Sequence, residues 1–275
     1  MVLYSIIIPA YNEGKIILRT LEDYYREFRD RAEIIVVVNG STDNTYVVSQ
    51  KYAKGKKQIK VVNFPAAIGK GGAVIEGFKL AKGDFIGFVD ADGSTSASEF
   101  SRLAQSIGNA DGVIASRWVK DAHVVVPQPF ERKVAGRVFN FLVRLLFQLP
   151  YHDTQCGAKL FSKKAITDIL PRIGITDWAF DIDILFLLRQ RGYVIVETPT
   201  VWTDRSASNL NLKNASIKMF FAVARLRLIY SPIQKYYMFF RPITTRIYRY
   251  CKSLASTYPS TKKESTRSPP GGSAS

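Results

Sequence analysis

Histidine and cysteine are scarce. The 275-residue chain has two of each: His123, His152, Cys156 and Cys251. Two cysteines exclude a disulfide framework and a four-thiolate zinc site, and they fit a reducing compartment. Two histidines exclude a site built mainly from imidazoles. Long apolar runs are missing too, since nothing approaches the roughly 18 uninterrupted apolar residues of a spanning helix. The most apolar late region, residues 219–240, is broken by Arg225, Arg227, Pro232 and Lys235. The first nine residues show neither the basic start nor the apolar core of a secretory signal. Acid is almost absent from the last quarter, where 13 Lys/Arg face a single carboxylate, Glu264, from Arg205 onward. The first 204 residues hold 26 basic and 22 acidic side chains, so most of the +16 net charge sits at the C-terminal end. That end expects an anionic partner, a membrane surface or a nucleic acid.

What is present is ordinary globular material, 47% apolar and 23% charged, which excludes whole-chain disorder. Apolar, β-branched runs at residues 3–8, 33–38, 58–63 and 84–89 read as strands. Helical stretches at 13–30, 42–54 and 70–81 separate them. This alternation predicts βαβ units and an α/β fold with a mostly parallel central sheet flanked by helices. The second half is less regular. Strands are expected at 113–117 and 193–198, an edge strand at 158–161, and helices at 134–149, 181–191, 210–230 and 236–250. From residue 256 the chain is Ser, Thr, Pro, Gly and Lys, a composition that cannot bury a core.

Ligands of such sheets bind beyond the carboxyl ends of the strands. Polar clusters follow three of the expected strands: Pro9-Ala-Tyr-Asn-Glu13, Asn39-Gly-Ser-Thr-Asp43 and Asp90-Ala-Asp92. Two carboxylates two residues apart in extended chain project to one side. There they can cage a hard cation such as Mg²⁺ or Mn²⁺ that takes its other ligands from water and a diphosphate. A loop with helix-capping acids is the plainer alternative, with Ser94 or Ser96 starting a helix. Gly69-Lys70-Gly71-Gly72 opens a helix where backbone N–H groups can face a phosphate, although it matches neither a Walker A loop nor a dinucleotide fingerprint. Asn39 to Asp43 also reads as a turn with Ser41 or Thr42 as helix cap. His152 reads as a surface side chain.

Taken in order, Ile7-Ile-Pro-Ala-Tyr-Asn-Glu13, Asn39-Gly-Ser-Thr-Asp43, Gly69-Lys-Gly71, Asp90-Ala-Asp92, Ser116-Arg117 and Asp153-Thr-Gln-Cys-Gly157 resemble the inverting glycosyltransferases of family 2. Within that family the pattern is similar to the dolichyl-phosphate (polyprenyl-phosphate) glucose and mannose synthases, over roughly residues 3–230. The resemblance implies a nucleotide-sugar-binding fold of the GT-A type. Pro9, Tyr11, Glu13, Asn39, Lys70 and Asp90 then fall to the nucleotide sugar, and Asp90 and Asp92 to the metal, Mg²⁺ or Mn²⁺. Asn39 stands, with Val38, where the family usually has two aspartates; its amide can still pair with a uracil edge. Arg117, Arg132 and Arg205 match residues that hold an acceptor phosphate, a task suited to guanidinium forks. Asp153, Gln155 and Asp181 match the sugar end of the site, and Trp202 the acceptor entrance. Asp90, Asp92 and Asp153 are the expected catalytic carboxylates.

The implied reaction moves a hexose, glucose from UDP-glucose, onto a polyprenyl phosphate. GDP-mannose as donor and a glycan as acceptor are the alternatives within the family. A phosphate acceptor is already ionised, whereas a sugar hydroxyl would need a base, with Asp153 or Asp181 the candidates. A nucleic-acid-binding protein would explain the charge but not the carboxylate pair or the strand-end loops, so no nucleic-acid partner is expected. The expected organisation is a catalytic domain over 1–235, a basic amphipathic helix over 236–255 and a disordered tail over 256–275. The chain is expected to be cytoplasmic and peripheral on the cytosolic face of a membrane. It would use amphipathic helices such as 134–149, with Phe139, Leu142, Leu146 and Leu149 as its apolar stripe.

Overall fold

The structure is a computed structural model. It describes residues 3–126, 130–174, 179–203 and 212–231, with the side chains of Arg132 and of 212–218 excepted. The expected helix at 236–250 and the tail from 256 lie outside these residues, as does Arg205.

Four strands, β1 (Tyr4–Ala10), β2 (Ala32–Asn39), β3 (Ile59–Phe64) and β4 (Phe85–Phe88), pair in parallel in the order β3-β2-β1-β4. Helices α1 (Ile17–Phe28), α2 (Thr45–Ala53) and α3 (Gly69–Leu80) connect them. Strands β1 and β2 are apolar on both faces because both faces are covered, as parallel sheets require. Ile7, Ile35 and Val37 join one core with Ala73, Val74 and Phe78 of α3. Their neighbours Ile6, Ile8, Ile34, Val36 and Val38 join the other with Leu21, Tyr24 and Phe28 of α1. Helix α1 buries Ile17, Thr20, Leu21, Tyr24 and Phe28, spaced by three and four residues along one face.

Beyond β4 the sheet continues as β7-β5-β8, formed by β7 (Lys159–Ser162), β5 (Gly112–Ser116) and β8 (Ile195–Pro199). Here the edge-strand expectation fails. The β7 segment lies inside the sheet and pairs antiparallel with both β4 and β5. Short strands carry little periodicity, so its neighbours could not be read from residues 158–161 alone. A small second sheet, β6 (His123–Val126) with β9 (Val201–Thr203), has no counterpart among the expected strands. Nor had the short helix α6 (Lys163–Ile169), while α4 (Ala97–Gln105) starts where Ser96 was a candidate cap. Helices α5 (Phe130–Phe147), α7 (Phe180–Gln190) and α8 (Leu212–Ile229) fall close to their expected positions.

The reversal of β7 has a functional consequence. Strands β1, β2, β4 and β5 end at one edge of the sheet, and β7 begins there. Residues after the first four strands and residues before β7 therefore meet.

Candidate functional site

Three loops form the first side of the site. Asn12, at φ 55°, occupies the left-handed region that asparagine tolerates. Its Oδ1 accepts from the Thr42 N–H at 2.8 Å, and its own N–H donates to Ser41 Oγ at 3.0 Å. Asp43 Oδ2 accepts the Gly14 N–H at 3.0 Å, and Thr45 Oγ1 accepts the Glu13 N–H at 2.8 Å. The β1 and β2 loops are thus stitched into one unit. Neither Ser41 nor Thr42 caps α2. The N-cap position is Asn44, which makes no side-chain cap bond, and Asp43 accepts the Thr45 N–H at 3.0 Å.

Asn39 is buried, and its Oδ1 accepts the Ile68 N–H at 2.7 Å. Half of the amide that was expected to read a base therefore fixes the β3–α3 loop. Gly40, at φ 65°, packs so closely against Ala67 that a Cβ would lie 2.8 Å from its backbone. Tyr11 is 57% exposed at the mouth of the site.

Asp90 and Asp92 follow β4. Helix α1 holds their turn: Thr20 Oγ1 donates to the Ala91 carbonyl at 2.8 Å, Tyr24 OH to the Thr95 carbonyl at 3.1 Å, and Asp23 accepts the Ala97 N–H at 2.9 Å. Ser96 caps α4 by accepting the Glu99 N–H at 3.2 Å. Ser96 is thus the cap of α4, while Asp92 Oδ1 accepts the Ser94 N–H at 2.8 Å and keeps its other oxygen for the site. Lys70 forms an ion pair with Asp90. Burial alone would raise Asp90, but Lys70 holds it below the ordinary carboxylate range. Asp92 moves the other way, raised by burial and then by the charge of Asp90. Glu13 rises to about 7, from burial and then the charges of Asp92, Asp90 and Asp43. This is a site with more negative charge than its own cations balance. Among the described residues no three His, Cys, Asp or Glu side chains gather to hold a metal. Asp90 and Asp92 would supply two ligands at most, which suits a hard cation shared with a diphosphate.

The second side comes from the β5 and β7 ends. Asp153 is fully buried and takes a two-pronged ion pair from Arg117, at 2.7 Å from Nε and 3.0 Å from Nη2. Burial would raise Asp153, yet Arg117 keeps it below its ordinary value. Glu197 accepts the N–H groups of His152 and Asp153, and Asn140 accepts the Thr154 N–H. His152 is exposed, as expected. The Arg117 guanidinium carbon lies 5.7 Å from the Trp118 ring and 5.2 Å from that of Trp202. Trp118 Nε1 and Gln155 Nε2 are buried donors with no partner among the described residues.

Asp181 is also buried, paired at 2.5 Å with Lys159 of β7. Both carboxylates considered as bases are ion-paired, but they differ. Arg117 holds Asp153 below its ordinary range, which argues against it as a proton acceptor, whereas burial raises Asp181 despite Lys159. Lys159 escaped the sequence reading. Its signal was a lysine inside the apolar run Ala158-Lys-Leu-Phe161. Arg132 lies in α5, with its side chain outside the described set, and Pro9 is in β1.

Residues 5–170 match the family profile described as glycosyl transferase family 2. Dolichyl-phosphate beta-glucosyltransferases are among the similar proteins. That of Dictyostelium discoideum is 30% identical, covering 82% of this chain and 74% of the relative. That of Saccharomyces cerevisiae is 32% identical with the same two coverages. Among solved structures, glucosyl-3-phosphoglycerate synthase from Mycobacterium tuberculosis in complex with UDP aligns with a TM-score of 0.62 at 17% identity, covering 84% of this chain and 82% of that one. The same enzyme with Mn²⁺ and UDP-glucose gives 0.58 at 18%, covering 81% and 78%. The architecture is thus the GT-A type of glycosyltransferase fold. The chain belongs to glycosyltransferase family 2.

Proposed function

We propose that this protein transfers glucose, with inversion, from UDP-glucose to dolichyl or another polyprenyl phosphate at a membrane surface. One observation carries the reading. The acidic Glu13, Asp90, Asp92 and cationic Lys70 lie at the same sheet edge as Arg117, in a chain at least 30% identical to dolichyl-phosphate beta-glucosyltransferases over 82% of its length.

Asp90 and Asp92 would hold Mg²⁺ or Mn²⁺, which neutralises charge on the leaving diphosphate when bound. Burial, and after it the charge of Asp90, raises Asp92, which a bound cation would offset. Lys70 adds a positive charge beside Asp90, and the Asn39–Ile68 bond shapes the nucleoside side of the site. On the other side Arg117 receives the acceptor phosphate, and the family resemblance assigns Arg132 and Arg205 to the same task. Asp153 fixes the Arg117 fork through Nε and Nη2, which leaves Nη1 outside that pair for the phosphate. Trp118 Nε1 and Gln155 Nε2 offer further donors beside it. An acceptor oxygen, ionised near neutral pH, attacks the anomeric carbon opposite the leaving group. No protein base is needed, in keeping with the lowered, ion-paired state of Asp153.

Membrane contact would fall to a stripe of α5 that shares only Leu146 with the exposed part of the one its sequence suggested. Leu149, just after the helix, is buried and Phe139 packs against the core. Leu146 of the expected stripe is exposed, together with Phe130, Val134, Val138, Phe141 and Leu145, and Phe220, Phe221 and Leu228 are exposed on α8. Arg144 and Lys133 accompany it on α5, a composition suited to a helix lying in an anionic interface. No described helix is long and apolar enough to cross a membrane. The reading places the protein peripherally on a cytosolic membrane face.

The test is radiolabelled UDP-glucose and GDP-mannose with a short polyprenyl phosphate, followed by extraction of product into organic solvent. Extractable label from UDP-glucose should vanish with chelator and return with Mn²⁺. Label from GDP-mannose alone would overturn the donor, and label in no lipid product would overturn the acceptor.

A further inference from the structure

Lys159 opens the interior strand β7 and is fully buried. Desolvating an ammonium costs several kcal/mol unless it is paired and hydrogen-bonded. Its Nζ donates to the Cys156 carbonyl at 2.6 Å and to Asp181 Oδ1 at 2.5 Å, and it lies 5.3 Å from the Phe88 ring centroid. Both hydrogen-bond partners belong to segments that support the Lys70–Asp90 pair.

The first segment is the turn before β7. Cys156 precedes Gly157, whose Cα packs directly on the Asp90 carboxylate. A Cβ there would fall 1.9 Å from Oδ2 and 2.3 Å from Cγ. Tethering the Cys156 carbonyl fixes how far Gly157 stands from Asp90. The second segment is the start of α7. Asp181 follows Phe180, whose ring meets Phe88 at 5.5 Å and lies 5.9 Å below the Lys70 ammonium. Tethering Asp181 fixes that ring beneath Lys70.

We propose that Lys159 is a positioning residue for the nucleotide end of the site. Its ammonium ties the segment backing Asp90 to the segment backing Lys70, and so sets the relative placement of those two groups. Lys159 touches no substrate; it acts through Gly157 and Phe180, and its charge also reaches Asp90. The inference rests on the functional reading only in taking the Lys70–Asp90 pair as the part that meets the diphosphate.

The experiment separates positioning from folding. Lys159→Met alone strands a buried carboxylate and is expected to lose stability. Lys159→Met/Asp181→Leu removes both charges and should recover most of the lost Tm, because apolar replacement of a buried pair is commonly tolerated. Two readouts follow in the native protein and the double variant. One is calorimetric titration of UDP with and without Mn²⁺. The other is the NMR signal of the Lys70 ammonium without nucleotide. Positioning predicts at least a tenfold loss of Mn²⁺-dependent UDP affinity and a shifted, faster-exchanging Lys70 signal, although the double variant is folded. Native-like affinity and an unchanged Lys70 signal would overturn the proposal. A double variant that cannot fold would overturn it as well, because the pair would then serve the fold and not the site. If the native protein binds no UDP, the functional reading fails, and the Lys70 signal alone decides the positioning claim.

Discussion

Two kinds of ion pair face each other across the sheet edge. Lys70–Asp90 is open, with the two side chains 41% and 30% exposed. Arg117–Asp153 and Lys159–Asp181 are closed, at 14% and 0%, and at 0% and 6%. An exposed pair is screened and contributes little to stability, so its partners can exchange one another for a ligand. A buried pair cannot open without stranding a charge, so it acts as framework. The difference separates a pair whose members can turn to ligand from pairs that hold the frame, where Arg117 keeps only Nη1 outside its pair. Five of the six were legible as site residues in the sequence, and Lys159 was not.

The largest expected effect breaks a closed pair. Arg117→Met leaves Asp153 buried without its counter-charge and should cost about 3–5 kcal/mol, read by urea denaturation. The loss should shrink in acid. The folded pKa of Asp153 is depressed, so the pair's stabilisation is present above the unfolded value near 3.8 and is lost as pH falls through the lower folded value. A loss under 1 kcal/mol at pH 7 would mean that the pair is not framework.

Gly157→Ala comes next, because it drives a methyl into the Asp90 carboxylate. Roughly 1–3 kcal/mol of overpacking is expected, together with loss of Mn²⁺-dependent UDP binding measured by calorimetry. Gly77→Ala, which crowds Ile7 at 2.5 Å on the α3–β1 contact, is the control. It should lose similar stability while the folded fraction binds UDP normally.

Glu13→Gln should show a smaller, pH-dependent gain. The Glu13 pKa is raised from 4.5 to about 7, so the folded protein holds a proton that the unfolded chain has released between those values. Native stability therefore falls as pH rises from 4.5 to 7. The glutamine variant should match the native Tm near pH 4 and exceed it at pH 8, by an amount on the order of 1 kcal/mol after solvent screening. Equal melting curves at both pH values would remove Glu13 from the acidic cluster.

The smallest stability effect belongs to the open pair. Lys70→Met should change unfolding free energy by less than about 1 kcal/mol, while weakening UDP binding about tenfold in calorimetry. A large stability loss with unchanged binding would invert the comparison.

The sequence determined the first half of the fold almost unaided. The strands at β1, β2 and β3 are continuous β-branched runs separated by helical stretches, and parallel pairing follows from that alternation. With it came the loops that end in Glu13, Asn39 and Asp92, because residues after parallel strands share an edge. Motif order likewise marked Lys70, Arg117 and Asp153 as belonging to one site. The tertiary structure alone decided their roles. Antiparallel insertion of β7 depends on partners distant in sequence, and four residues carry no record of their neighbours. That insertion brings Gly157 against Asp90 and buries Lys159 beside Asp181. Burial then divides one list of charged residues into open and closed pairs, and burial is a property of packing that residue type and spacing do not contain.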